Sequence, residues 1–184
     1  EEPKADARLV CQLGQAALGT SDAQKLVANL NDGVDQVVGL GHIAQVAVLP
    51  AFIHAKRHST LDAVVSKDAT KRREIAKKYG VKQTFTYSEF DACLEMVDAV
   101  YIALPNSLHA EYTVRAAEAG VHVLCEKPMA VTVQECQRMI RACRANGVKL
   151  MIAYRLHFDE INLSAIDLIR KGRIGEPKFF NSSF

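Results

Sequence analysis

Residues Val37–Gln45 read VVGLGHIAQ, a pair of β-branched residues running straight into Gly39-x-Gly41-x-x-Ala44. Two readings compete for this stretch. In one it is a tight turn between a strand and a helix, with no ligand. In the other it is the phosphate-cradling turn of a dinucleotide site. Gly39 would then let the strand turn sharply, Gly41 would let backbone approach a pyrophosphate, and the small Ala44 would let the helix pack on the sheet. The first N–H groups of that helix, at His42, Ile43 and Ala44, would face the phosphates, helped by the helix dipole. A loose glycine hexapeptide does not choose between these readings; its neighbours do.

From Val34 onward, short β-branched runs alternate with helical segments. Ala63–Ser66 (AVVS) reads as a strand, and the following KDATKRREIAKKYG as a helix with Asp68 as N-cap and Gly80 as its stop. Asp98–Pro105 (DAVYIALP) is a strand bounded by proline. SLHAEYTVRAAEAG is a helix capped by Ser107 and ended by Gly120, and Val121–Cys125 a short buried strand. Thr132-x-x-Glu135 is a capping box. It opens a helix whose apolar face is Val133, Cys136, Met139, Ile140 and Cys143, closed by Asn146-Gly147. Val148–Tyr154 is a further strand, and EINLSAIDLIRKG a last helix ending at Gly172. Strands alternating with helices predict βαβ units and a parallel sheet, an α/β fold.

Parallel sheets of this kind bind ligands beyond the carboxyl ends of their strands. Ser66, Leu104-Pro105-Asn106, Glu126-Lys127 and Tyr154-Arg155 all fall there, on the same rim as the glycine turn. That shared address favours the dinucleotide reading. Where NAD-preferring sites carry an acid for the ribose hydroxyls, this chain has Ser66-Lys67, with Lys71 close behind. A hydroxyl and ammonium groups suit the extra 2′-phosphate of NADP, so NADP is preferred over NAD. Asp68 could accept a ribose hydrogen bond, though its position fits a helix cap better. A lysine at position 127 would hold a substrate hydroxyl and ease its deprotonation while hydride leaves the same carbon. By itself, however, a strand-end lysine reads equally well as solvated charge.

Composition narrows the remaining classes. Of the 184 residues, 49% are hydrophobic and 24% charged, the balance of a folded globular domain. A net charge of +2 is too small for a nucleic-acid surface. The basic run Lys71-Arg72-Arg73 with Lys77-Lys78 reads as a solvated helix face without aromatic partners for base stacking. No apolar run reaches the ~20 residues of a membrane span, and the opening residues EEPKADAR lack signal-peptide character. The five cysteines, Cys11, Cys93, Cys125, Cys136 and Cys143, show no Cys-x-x-Cys or zinc spacing, which fits reduced thiols and a cytoplasmic protein. Cys136 and Cys143 belong to the helix's core face. His54 and His58 lack the adjoining glutamate of a zinc-protease helix, so no metal is expected.

In order and spacing, GLGHIAQ, ALPNSLHAEY, AGVHVLCEKPMA and AYRLHFDEIN resemble the Gfo/Idh/MocA family, named for glucose–fructose oxidoreductase, inositol dehydrogenase and rhizopine catabolism. The final motif looks most like the glucose–fructose oxidoreductase branch, and the likeness runs from about Val37 to Phe184. The resemblance implies a Rossmann-type doubly wound parallel sheet followed by an α+β domain, and NAD(P)-dependent chemistry on a sugar or cyclitol. It implies that Lys127 is the catalytic lysine and that Arg155 lies near nicotinamide and substrate. Asn106 and Glu126 would line the nicotinamide end, and Ser66 and Lys71 would contact the 2′-phosphate. His109 belongs to the pattern either as a site residue or as a packed helix-face histidine. A homo-oligomer is implied for the full-length parent.

The expected organisation is an unassigned segment 1–33, a Rossmann domain 34–156 and the incomplete start of the substrate domain 157–184. Ser21 or Asp22 would cap a short helix through Leu30 in the first segment. Asp35 and Gln36 interrupt the expected first strand, which predicts a short strand there. GEPKFFNSSF is the expected first strand of the substrate domain, so the usual acid/base partners of the lysine would lie beyond Phe184. The rival function is a non-catalytic nucleotide-binding fragment or sensor.

Overall fold

Neighbouring residues of a strand face opposite ways. The doublets Val37-Val38, Val64-Val65, Tyr101-Ile102 and Leu124-Cys125 therefore divide between two apolar cores, one on each face of a single sheet. A sheet covered on both faces is the parallel kind, and every strand pair here is parallel. The computed structural model describes residues 33–54 (the last by its backbone only), 59–154, 159–179 and 181. Its strands are β1 (Gly33–Val38), β2 (Ser59–Val65), β3 (Gln83–Phe85), β4 (Ala99–Ile102), β5 (His122–Cys125) and β6 (Leu150–Ile152). They lie in the order β3-β2-β1-β4-β5-β6. This is the doubly wound Rossmann order, with the chain reversing direction across the sheet at the β1–β4 boundary.

The helices are α1 (Leu49–His54), reached through a π-helical stretch Ala44–Val48, then α2 (Ala69–Tyr79), α3 (Phe90–Leu94), α4 (Asn106–Glu118), α5 (Val133–Ala145) and α6 (Glu160–Arg170). Several ends follow from local chemistry. Asp68 caps α2 by accepting the Lys71 N–H at 3.0 Å, which holds its carboxyl below the usual range, and Gly80 ends the helix at φ 70°. Thr132 and Glu135 close the capping box of α5 reciprocally. Ser107, expected as a cap, is inside α4. The helix starts at Asn106 after Pro105, whose fixed φ sets the entry and whose carbonyl accepts the Leu108 N–H at 2.9 Å.

The apolar face of α5 is narrower than its pattern: Met139 and Cys143 are buried, Cys136 is half-buried, and Val133 is exposed. Cys93, Cys125, Cys136 and Cys143 are free thiols, and burial pushes Cys93 and Cys125 up to about 12. β3 and α3 have no clear signature in the sequence. β3 has only three residues, too few to show a period, and exists by pairing with β2.

The front of the sheet corrects an expectation. β1 is six residues long and pairs with β2 and β4 despite Asp35 and Gln36. Asp35 accepts a hydrogen bond from the Ser59 hydroxyl, and the fully buried Gln36 accepts one from the Cys93 thiol through Oε1. The β1–β2 register shifts between Asp35 and Gln36, a local irregularity at the polar pair, and among the described residues the buried Gln36 Nε2 has no hydrogen-bond partner.

At the other end, residues 175–179 form no strand. A lone strand lacks ladder partners for its N–H and C=O groups, and among the described residues none is supplied. α6 buries no residue, and Ile161 and Phe179 are largely exposed. No described helix is long and apolar enough to cross a membrane. Residues 1–32, with the proposed short helix and Cys11, lie outside the described residues, as do Arg155 and His58.

Candidate functional site

The glycine turn leaves the carboxyl end of β1 at the sheet's switch point. Gly39 sits at φ +91°, and its N–H donates to the Val65 carbonyl at 2.9 Å. A Cβ here would lie 2.5 Å from the Ala103 carbonyl oxygen. Only glycine meets both the backbone angle and the approach to the neighbouring strand. At Gly41 the situation is opposite: a Cβ would meet nothing within 4 Å. The turn is packed hard against the sheet on one side and open on the other. Helix entry follows at His42 and Ile43, both exposed, while Ala44 is wholly buried against the sheet. Gln45 steadies the turn by donating through Nε2 to the Leu40 carbonyl at 2.8 Å.

At the end of β2, Ser66 is buried and its Oγ accepts the Asp68 N–H at 3.3 Å. Tyr87 also reaches the Ser66 side chain, and burial beside Tyr112 holds the Tyr87 hydroxyl above its usual range. Lys67 and Lys71 are exposed. The Arg72 guanidinium donates to the Ser66 carbonyl, and it helps hold the Glu89 carboxylate below its usual range, a shift led by that group's bonds to Thr86. In the sequence Arg72 is one member of a solvated basic run, set apart only by its place in the first turn after Ser66.

The β4 and β5 ends form the rest of the rim. Ladder bonds from Ala103 N–H to Val38 and from Glu126 N–H to Ile102, each 2.9 Å, carry both segments onto the edge that holds Gly39. Leu104 is buried, whereas Pro105 and Asn106 are exposed. Glu126 accepts the Tyr101 hydroxyl at 2.7 Å, and Lys127 is exposed beside it. In the sequence Tyr101 is one apolar residue of the DAVYIALP strand, with nothing local to mark this contact. His109, left open between packing and function, is fully buried, with Nδ1 2.8 Å from the Pro128 carbonyl and Nε2 2.9 Å from that of Leu104. The rim thus brings together Gly39, Gly41, Ser66, Asn106, Glu126 and Lys127; Arg155 falls outside the described residues. Among those described, no cluster of three or more His, Cys, Asp or Glu residues is placed to hold a metal.

The family model described as an oxidoreductase family with an NAD-binding Rossmann fold, GFO_IDH_MocA, matches residues 36–154. The chain belongs to the Gfo/Idh/MocA oxidoreductase family. It is similar to D-xylose 1-dehydrogenase [NADP(+)] of Haloarcula marismortui, at 36% identity over 88% of this chain and 46% of that protein. The scyllo-inositol 2-dehydrogenase (NADP(+)) IolU of Bacillus subtilis is 44% identical over 53% of this chain and 30% of its own length. The aldose-aldose oxidoreductase of Caulobacter crescentus, solved with glycerol, superposes with a TM-score of 0.73 at 42% identity, covering 77% of this chain and 43% of that one. The chain therefore spans less than half the length of these relatives.

The residues fit a dinucleotide: an open backbone face at Gly41, a helix start whose first N–H groups lack intrahelical partners, and the exposed ammonium groups of Lys67 and Lys71 beside the buried Ser66. The open face makes Gly41 separable from folding. Gly41→Ala should leave thermal unfolding unchanged or slightly raised, because the added methyl meets no neighbour. In the same protein NADPH binding should weaken about tenfold or more, since a methyl group would fill the open face that such glycine turns offer to a pyrophosphate. Calorimetric titration beside a melting curve checks both.

Proposed function

We propose that this Gfo/Idh/MocA family chain is the cofactor-binding portion of an NADP-dependent oxidoreductase acting on a hydroxyl or carbonyl of a sugar or cyclitol. The observation that carries the reading is the turn itself, closed to any side chain at Gly39 and open to a ligand at Gly41. Residues 34–156 would form the cofactor domain, and 157–184 would begin the substrate domain. Gly39, Gly41, His42, Ile43 and Ala44 would hold the pyrophosphate. Leu104, Pro105, Asn106, His109 and Glu126 would border the nicotinamide end, with His109 acting from beneath. When bound, the nicotinamide supplies a carbon that takes or gives the hydride.

Lys127 would meet the substrate oxygen. Its Nζ would favour negative charge developing there as the hydroxyl proton leaves and the carbonyl forms. The exposed position of Lys127, next to a carboxylate fixed by Tyr101, supports that role. The relatives named for NADP-dependent dehydrogenases of xylose and inositol support the substrate class.

Cofactor choice would rest on Ser66, Lys67 and Lys71, joined by Arg72. The only carboxylate in this segment, Asp68, already accepts the Lys71 N–H as a helix cap. Lys71→Ala should weaken NADPH binding by about 10- to 100-fold, the loss of one charged hydrogen bond, and NADH binding less than about threefold. Fluorescence titration with both nucleotides distinguishes them; equal losses reject the 2′-phosphate contact.

A further inference from the structure

Lys127 is gripped through both of its neighbours in the chain. On one side, Glu126 accepts the Tyr101 hydroxyl at 2.7 Å. On the other, the Pro128 carbonyl lies 2.8 Å from His109 Nδ1. Tyr101 belongs to β4 and His109 to the first turn of α4, so the elements on either side of Asn106 are the ones that hold the lysine's flanks. The second ring nitrogen, Nε2, lies 2.9 Å from the carbonyl of Leu104, in the segment leading to Asn106. Both nitrogens of this fully buried ring thus face carbonyls of two different rim segments. Carbonyl oxygens only accept, so a ring nitrogen that bonds one must donate, and the brace on Pro128 is the tautomer with its proton on Nδ1.

We propose that His109 and Tyr101 are positioning residues that fix the Lys127 backbone relative to Asn106. The proposal rests on the reading of Lys127 as the group that meets substrate. Neither residue would touch the reacting atoms. The lysine side chain is exposed and carries a flexible four-carbon stem, so its placement depends on how firmly its backbone is held. A misplacement of about 1 Å at a reacting group can cost roughly a hundredfold in rate.

The test is the 15N order parameter of the Lys127 amide in the full chain without cofactor. It should be about 0.85 in the native protein and fall below about 0.6 in His109→Leu, while Val123 and Leu124 of β5 keep their values. Two further variants separate bracing from packing. The side-chain nitrogen of an asparagine reaches the place of Nδ1, and that of a glutamine the place of Nε2. His109→Asn should therefore keep the Pro128 contact and a rigid Lys127, whereas His109→Gln should keep only the Leu104 contact and let Lys127 loosen. Tyr101→Phe, which deletes one oxygen, should loosen Lys127 from the other side.

Equal order parameters in the Asn and Gln variants would overturn the proposal, and so would a rigid Lys127 in the Phe or Leu variant. If the Leu variant does not fold, the Asn–Gln pair and Tyr101→Phe decide. A separate NADPH titration of the native chain keeps the outcomes distinct. Failure to bind there would sink the cofactor reading, while the order parameters alone judge the brace.

Discussion

Gly39→Ala should damage folding and cofactor binding together. The substituted residue would have to hold φ at +91°, which costs about 1–3 kcal/mol for an L side chain. Its methyl would also sit 2.5 Å from the Ala103 carbonyl oxygen, a backbone atom directly after β4 that cannot swing away as a side chain could. Relieving that overlap requires β1 and β4 to part, at about 1–3 kcal/mol more. Together these losses lower the melting temperature by on the order of 10 °C. NADPH binding should fall by more than tenfold, because the displaced turn would carry the first N–H groups of the following helix away from the phosphates they are proposed to hold. Thermal unfolding and NADPH titration measured on one preparation test both effects. A Gly39→Ala protein with native stability would show that the turn relaxes freely, which the packing against Ala103 forbids. The contrast with Gly41→Ala matters here, since two glycines of one turn should fail in different assays.

The second large effect is pH dependence arising at the opposite end of β1. Asp35 is held between strands, and burial pushes its carboxyl from 3.8 up to about 7, helped by the nearby Asp98 charge and opposed by the hydrogen bond from Ser59. The sign follows from where the proton is held. Below about pH 4 both folded and unfolded chains keep it, and Asp35 contributes no slope. Between about pH 4 and 7 the unfolded chain releases the proton while the folded chain retains it, so stability falls as pH rises. Above about pH 7 the loss is complete, amounting to about 4 kcal/mol at most.

Asp35→Asn removes the ionisation but keeps an acceptor for Ser59. Urea unfolding at pH 5 and pH 8 should show the native protein losing up to about 3 kcal/mol more than the variant over that interval. Other groups that titrate in the interval, His122 among them, contribute equally to both proteins, and the difference isolates position 35. Parallel slopes in the two proteins would mean that Asp35 is ionised in the folded state throughout.

Much of the fold could be read from the sequence wherever the determining contact is close in the chain. The Asp68 cap joins residues three apart, and the reciprocal Thr132–Glu135 pair has the same spacing. Gly80 ends its helix through its own backbone angle. The paired β-branched and apolar residues announced buried parallel strands because each strand had to feed two cores. The polar residues at the strand ends put the candidate site on one rim. Where a short-range cue misled, a stronger one lay beside it. Ser107 looked like a cap, but Pro105 fixes the helix entry two residues earlier.

The sequence alone therefore determined the βαβ alternation, the glycine turn and the rim that carries Lys127, because hydrogen bonds a few residues apart and a strict two-residue side-chain period leave local signatures. Tertiary structure decided the rest. It made β1 a full central strand by giving Gln36 a partner 57 residues away, and it turned Tyr101 into a support for Glu126 across 25 residues. It also set His109 against the Pro128 carbonyl 19 residues on. No period or cap encodes such contacts. They arise only when parallel strands bring distant segments into register, and only then does a buried polar side chain acquire the partner that explains why it is there.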